Sequence, residues 1–217
     1  VQYHRIRQNR KGNPMLTLVH APQSRSTAVL QLLDELGALD QVTIQTVTIH
    51  RLMPGSGAPD PANPHPEGKV PLLIHNGTLI RERNAILLYL TELFPDTGLG
   101  IPPGHPQRGA FLSWLAYYGN VMEPVFLGLF AGITAPAYHS VFRGPAEVTA
   151  ALSSALTQGP WLLGDRYTAA DLLISGVFAW APEMIPDVPA IKDWIARCQA
   201  RPSVARTLAL DAGIMAA

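Results

Sequence analysis

Residues His20–Gly37 read HAPQSRSTAVLQLLDELG, and the first half of the chain is best understood outward from them. Just before, LTLVH (Leu16–His20) is a short apolar run with β-branched residues, the pattern of a buried strand ended by Pro22. From Ser26 onward Val29, Leu30, Leu32, Leu33 and Leu36 recur at helical spacing, and Gly37 supplies the stop. Between strand and helix stand a proline, two serines and an arginine. One hydroxyl is enough to cap a helix. The surplus of Ser24, Arg25 and Ser26 raises the question of a ligand.

Moving outward, VTIQTVTI (Val42–Ile49) reads as a strand, and the Pro- and Gly-rich residues 51–68 read as a loop. VPLLIHNGTLI then places two apolar runs around Asn76-Gly77, a hairpin signal because both turn residues tolerate positive φ. RERNAILLYLTELF returns to helical period, with Ile86, Leu87, Leu90, Leu93 and Phe94 on its apolar side and Pro95 after it. The order β-α-β, loop, β-β-α predicts a small α/β domain over residues 15–95. A Pro/Gly linker over 96–106 follows. Beyond it alternation of period two disappears. Helical runs are expected over about 107–135, 145–158, 168–181, 190–200 and 203–212, separated by prolines, so residues 107–217 read as an all-helical domain. Residues 1–14, VQYHRIRQNRKGNP, are Arg-rich without an apolar period. They are expected to lie outside the fold as a disordered tail or expression remnant, with a targeting peptide as the other reading.

Composition narrows the function. The 217 residues carry a formal net charge of zero, so the electrostatic footprint of nucleic-acid binding is absent and no nucleic-acid partner is expected. One cysteine, Cys198, excludes an internal disulfide and fits a reducing, cytoplasmic setting. No unbroken apolar run of about 18 residues predicts a membrane span. His20, His50, His65, His75, His105 and His139 lack metal-ligand spacing, so no metal is expected. Nor is there a Walker loop, a G-x-G-x-x-G or a nucleophile elbow.

Three further motifs bear on a site. GKVPLL puts Pro71 at the start of a strand, where it needs an edge or a bend; a cis Val70-Pro71 bond would leave the Val70 backbone groups free for a ligand. ERNAILLYL opens a helix whose first N–H groups favour an anion, with Glu82 at its start. GDRYTAADLL carries Thr168 and Asp171 at capping-box spacing, a signal of folding rather than chemistry.

Taken in order, SRSTAVLQLLDELG, HPEGKVPLL, ERNAILLYL, GPWLLGDRYTAADL and IKDWIARCQARPSVARTLA make the chain resemble the cytosolic glutathione transferase family, in a bacterial-type form with a serine-like first-turn motif. The resemblance covers nearly all of the chain after Met15. It implies a thioredoxin-like α/β N-terminal domain, an all-α C-terminal domain, and a homodimer in which the helix opened by ERNAILLYL in one subunit packs on the first C-terminal helix of the other. It implies that glutathione is a co-substrate. Val70 would pair its backbone with the cysteinyl part, Lys69 would lie near the glycyl end, and Glu82 with Arg83 would grip the γ-glutamyl end, where relatives usually have serine in place of Arg83. In the family the turn before the first helix holds the glutathione thiol. The donor here would be Ser24, with Ser26 as helix cap; Ser26 or a backbone group are the other choices, and many relatives carry the catalytic serine one place earlier, at Gln23. A hydrophobic electrophile would meet Trp114 and one of Tyr117 and Tyr118.

Two functions follow from this. One is a glutathione S-transferase, with thiolate attack on a hydrophobic electrophile or an organic hydroperoxide. The other is a transferase-fold binding or assembly protein without catalysis. The absence of a C-x-x-C or a cysteine in the first turn argues against disulfide exchange through a protein thiol.

Overall fold

The computed structural model describes residues 16–50 and 58–216; the readings for residues 1–14, for Met15 and for the 51–57 part of the loop lie outside them. Four strands, β1 (Leu16–His20), β2 (Val42–Thr46), β3 (Leu72–His75) and β4 (Thr78–Ile80), form one sheet in the order β2-β1-β3-β4. β1 and β2 run parallel, joined by helix α1 (Thr27–Glu35), while β3 is antiparallel to both β1 and β4. Helix α2 (Arg83–Leu93) follows β4. This is a thioredoxin-like arrangement. Leu18, Val19, Leu72 and Leu73 of the sheet are fully buried with Val29, Leu30, Leu32 and Leu33 of α1 and Ile86, Leu87 and Leu90 of α2. The apolar stripes read in the sequence are therefore the faces turned to this core.

Local chemistry sets several boundaries. Asn76 and Gly77 take φ of 49° and 84°, the left-handed pair that a two-residue hairpin requires. The strand read over Val42–Ile49 stops at Thr46, because Thr46 pairs with His20 and β1 ends there. The Val47 N–H still donates to the His20 carbonyl, and beyond it the ladder has no partner strand.

By their contacts the described residues form two compact units, one of those up to Thr97 together with those from Pro202 on, the other Gly98–Arg201. The last helix, α10 (Pro202–Ala216), thus leaves the helical half and packs on α1. Arg206 forms a fork on Asp34, with Nε 3.0 Å from both carboxylate oxygens and a terminal nitrogen 2.6 Å from Oδ2. Ser203 donates to Glu35 at 2.7 Å and accepts from Gln31 at 3.3 Å.

The second unit holds α3 (Arg108–Tyr117), α4 (Glu123–Phe130), α5 (Pro136–Val141), α6 (Pro145–Ala155), α7 (Ala169–Ser175), α8 (Val177–Trp180) and α9 (Pro189–Gln199). The long run read over 107–135 is two helices. A π-helical turn over Tyr118–Met122 separates them, and Gly132 (φ 62°) follows the end of α4. Phe111, Phe126, Phe178 and Trp194 fill the core, with Phe126–Phe178 and Phe178–Trp194 ring centroids 6.1 and 6.5 Å apart. Thr168 and Asp171 close the capping box at the start of α7. No helix among the described residues is long and apolar enough to cross a membrane.

Candidate active site

Sheet register assembles the site before any side chain is considered. Val19 pairs with Leu72 and Leu73 pairs with Ile80, so the carboxyl end of β1, the amino end of β3 and the carboxyl end of β4 share one edge. The chain leaves β1 there into the turn that starts α1, enters β3 there through Val70 and Pro71, and leaves β4 there into α2. Ser24, Val70, Glu82 and Arg83 are thereby brought to one end of the sheet. The Val70-Pro71 bond is cis. Val70 packs on Val19, Val47 and Leu72. Gln23 (φ 52°), in the turn before α1, and Glu82 (φ 65°), at the N-cap place of α2, adopt the positive φ that non-glycine residues avoid.

The first turn is a network. The Ser24 Oγ donates to the Ala21 carbonyl at 2.7 Å, lies 2.7 Å from the Ser26 Oγ, and accepts the Ser26 N–H at 3.1 Å. Ser26 occupies the N-cap place of α1, yet its hydroxyl does not cap. It turns back onto β1, 2.7 Å from His20 Nδ1, and accepts the Ala21 N–H at 3.1 Å. That departs from the helix cap read for Ser26, because a buried imidazole competes for its hydroxyl.

Asp211 of α10 was not singled out in the sequence, and it holds this turn from behind. Its Oδ2 accepts the Gln23 N–H and the Thr27 hydroxyl, each at 2.7 Å. Its Oδ1 lies 3.0 Å from His20 Nε2, off the hydrogen-bond line, so the contact is electrostatic in character. Burial pushes the Asp211 carboxyl up, but the contacts from His20, Thr27 and Gln23 together outweigh it and hold the carboxyl below its usual range. His20, Ser26 and Asp211 are buried while Ser24 is half-exposed.

At the mouth of the same edge, exposed Lys69 forms an ion pair with Glu67, and Arg81 reaches Glu67 at 3.6 Å. Lys69 is held above its ordinary range first by its hydrogen bond to Glu67 and by that charge, with Glu82 adding and Arg25 opposing. The charges of Glu82 and Arg25 are thus felt at Lys69.

The aromatic candidates lie in the helical unit. Trp114 and Tyr117 of α3 stack edge to face at 5.4 Å, and burial pushes the Tyr117 hydroxyl up to about 12, Glu147 adding to the shift. Tyr118 is only 2% exposed and belongs to the core. Trp114 also lines an open groove of about 720 Å³ with Gln107, Ala110, Ala151 and Leu163. Cys198 is buried, and burial pushes its thiol up to about 12, the opposite of an activated nucleophile. Among the described residues no cluster of three or more His, Cys, Asp or Glu could hold a metal ion.

Two family models match the chain: "Glutathione S-transferase, N-terminal domain" over residues 18–98 and "Glutathione S-transferase, C-terminal domain" over 117–202. The chain is 34% identical over 119 residues to glutathione S-transferase GstA of Escherichia coli O157:H7, a match covering 54% of this chain and 59% of that relative. It is 26% identical over 212 residues to the disulfide-bond oxidoreductase YfcG of Escherichia coli K12, covering 89% of this chain and 94% of the relative. Among solved structures, a sphingomonad glutathione S-transferase complexed with glutathione superposes with a TM-score of 0.69 at 25% identity, covering 90% of this chain and 98% of that one.

Proposed function

Because this chain belongs to the glutathione S-transferase family, we propose that it binds glutathione at the edge formed by β1, β3 and β4 and activates the thiol as thiolate, for attack on a hydrophobic electrophile or an organic hydroperoxide. The observation that carries this is the hydroxyl of half-buried Ser24 in the turn before α1, at the same end of the sheet as the cis Val70-Pro71 bond. In the free chain its hydroxyl donates to the Ala21 carbonyl and lies 2.7 Å from the Ser26 Oγ. A thiolate is a stronger acceptor than either and would draw it outward. The N-terminus of α1 adds positive potential. A free thiol has a pKa near 8.5, and lowering it by about two units corresponds to roughly 2.7 kcal/mol, within reach of one ion-directed hydrogen bond and a helix dipole.

Val70 would pair its backbone with the cysteinyl unit, Lys69 would face the glycyl carboxylate, and Glu82 and Arg83 would take the amino and carboxylate groups of the γ-glutamyl end. Trp114 and Tyr117 would meet the electrophile. Disulfide exchange of the kind named for the YfcG relative would have to run through the glutathione sulfur, since Cys198 is buried with a raised pKa.

Arg83 in place of the family's usual serine also favours a second reading, a binding protein without catalysis. Calorimetric titration with glutathione separates the two: heat and thermal stabilisation at millimolar ligand support the enzyme, and their absence leaves the binding protein. Arg83→Ala is expected to weaken glutathione binding by about 1.5–3 kcal/mol, the loss of a charged hydrogen bond, and Arg83→Ser to recover part of it. Equal affinity in all three proteins would place the carboxylate on backbone N–H groups alone.

The protein would act as a homodimer, with α2 of one subunit on α3 of the other. Light scattering at micromolar concentration should give twice the chain mass, and a stable monomer would oppose this assembly.

A further inference from the structure

We propose that His20 takes up the proton of the glutathione thiol through Ser26 and Ser24, with Asp211 stabilising the imidazolium that results. The proposal rests on the reading of Ser24 given above and adds where the thiol proton goes. Its basis is an unbroken chain of short contacts. Ser24 Oγ to Ser26 Oγ is 2.7 Å, Ser26 Oγ to His20 Nδ1 is 2.7 Å, and His20 Nε2 to Asp211 Oδ1 is 3.0 Å. Its inner members are sealed, with His20 and Ser26 fully buried and Asp211 1% exposed. Ser24 is the outlet.

Hydrogen placement follows from Asp211. Its Oδ2 already accepts the Gln23 N–H and the Thr27 hydroxyl, which fits an ionised carboxylate. A lone pair on His20 Nε2 would face that carboxylate at 3.0 Å, so Nε2 carries the hydrogen. In the neutral ring Nδ1 is then the acceptor, and Ser26 donates to it. With glutathione at Ser24, the thiol hydrogen points to Ser24 Oγ, the Ser24 hydrogen to Ser26 Oγ, and the Ser26 hydrogen to Nδ1. Shifting each hydrogen one place leaves a thiolate that accepts from Ser24, Ser24 that accepts from Ser26, and Ser26 that accepts from imidazolium Nδ1–H. One S–H bond breaks, one N–H bond forms, and nothing is oxidised or reduced. The bent His20–Asp211 contact gains little for a neutral ring and most for a charged one, so it favours the shifted state.

A purely structural role, in which the network only holds the turn, predicts a different proton count. Glutathione is mixed with the full chain in weak buffer near neutral pH, with thiolate followed by ultraviolet absorbance and released protons by an indicator dye. The relay predicts well under half a proton released per thiolate formed, and about one per thiolate in His20→Gln and Ser26→Ala. About one proton per thiolate in the parent overturns the proposal, as does a deficit that persists in both variants. Histidine-labelled parent protein gives a reading free of substitutions: the buried imidazole Nδ1 should change from acceptor to protonated nitrogen resonance as glutathione saturates, and an unchanged ring overturns the relay. If Ser24→Ala raises the bound thiol pKa while the parent releases a full proton, the relay alone fails. If Ser24→Ala titrates like the parent, the Ser24 reading fails and takes the relay with it.

Discussion

Replacing Asp171 with alanine should cost about 3–5 kcal/mol, a large share of the 5–15 kcal/mol that holds a typical domain folded. Asp171 is fully buried, yet four donors converge on it. Oδ1 accepts the Leu162 N–H at 2.9 Å and the Trp194 Nε1–H at 3.0 Å. Oδ2 accepts the Thr168 N–H at 2.9 Å and the Thr168 hydroxyl at 3.2 Å. Alanine would strand those donors in the core, and stranded donors cost more than the lost bonds themselves. Thr168→Ala, which removes the Thr168 hydroxyl that accepts the Ala170 N–H, should cost only about 1 kcal/mol. Urea unfolding of both variants checks the ranking; a loss below about 1 kcal/mol for Asp171→Ala would mean the donors find other partners.

The pH dependence has a definite sign. Burial raises the Asp171 carboxyl above 3.8, although the donors from Leu162, Trp194 and Thr168 pull it down. The folded state then holds this proton more tightly than the unfolded chain. This group's contribution to stability therefore falls as pH rises from the unfolded value through the folded one, and is level above it. Asp211 has the opposite sign: its lowered carboxyl stabilises the fold above the unfolded value, a contribution lost as pH falls through the folded one.

These two aspartates also mark what the sequence could reveal. Asp171 was legible because a capping box is local: Thr168 and Asp171 stand three residues apart, and helix geometry does the rest. The Asn76-Gly77 hairpin was legible for the same reason. Asp211 was not. It meets Gln23 across 188 residues of chain, and an acid in a helical run carries no mark of such a partner. Ser26 suffered likewise, since its local pattern says cap and its hydroxyl turns to His20 instead. The end of β2 depended on where β1 ends, a property of pairing rather than of the β-branched run Val42–Ile49. Local signals thus placed most of the elements, though not α5 over Pro136–Val141, while long-range pairing decided where they stop and what their polar groups face.

Ser24→Ala should leave glutathione affinity nearly unchanged while raising the pKa of the bound thiol by about one to two units. Affinity survives because the proposed γ-glutamyl and backbone contacts do not pass through Ser24. The pKa rises because an ion-directed hydrogen bond, worth roughly 1.5–3 kcal/mol, favours only the thiolate. Turnover with an aromatic electrophile at neutral pH should fall tenfold or more, following the lost thiolate population and the barrier it lowers. The variant keeps the fold, since the carbonyl of Ser24 still accepts the Thr27 N–H and Asp211 still holds Gln23 and Thr27. Ultraviolet titration of the thiolate in the glutathione complex reads the pKa directly, for parent and variant. Were the curves to coincide, the sulfur would be held by backbone donors at the start of α1, and Ser24 would serve only the turn it closes through Ala21 and Ser26.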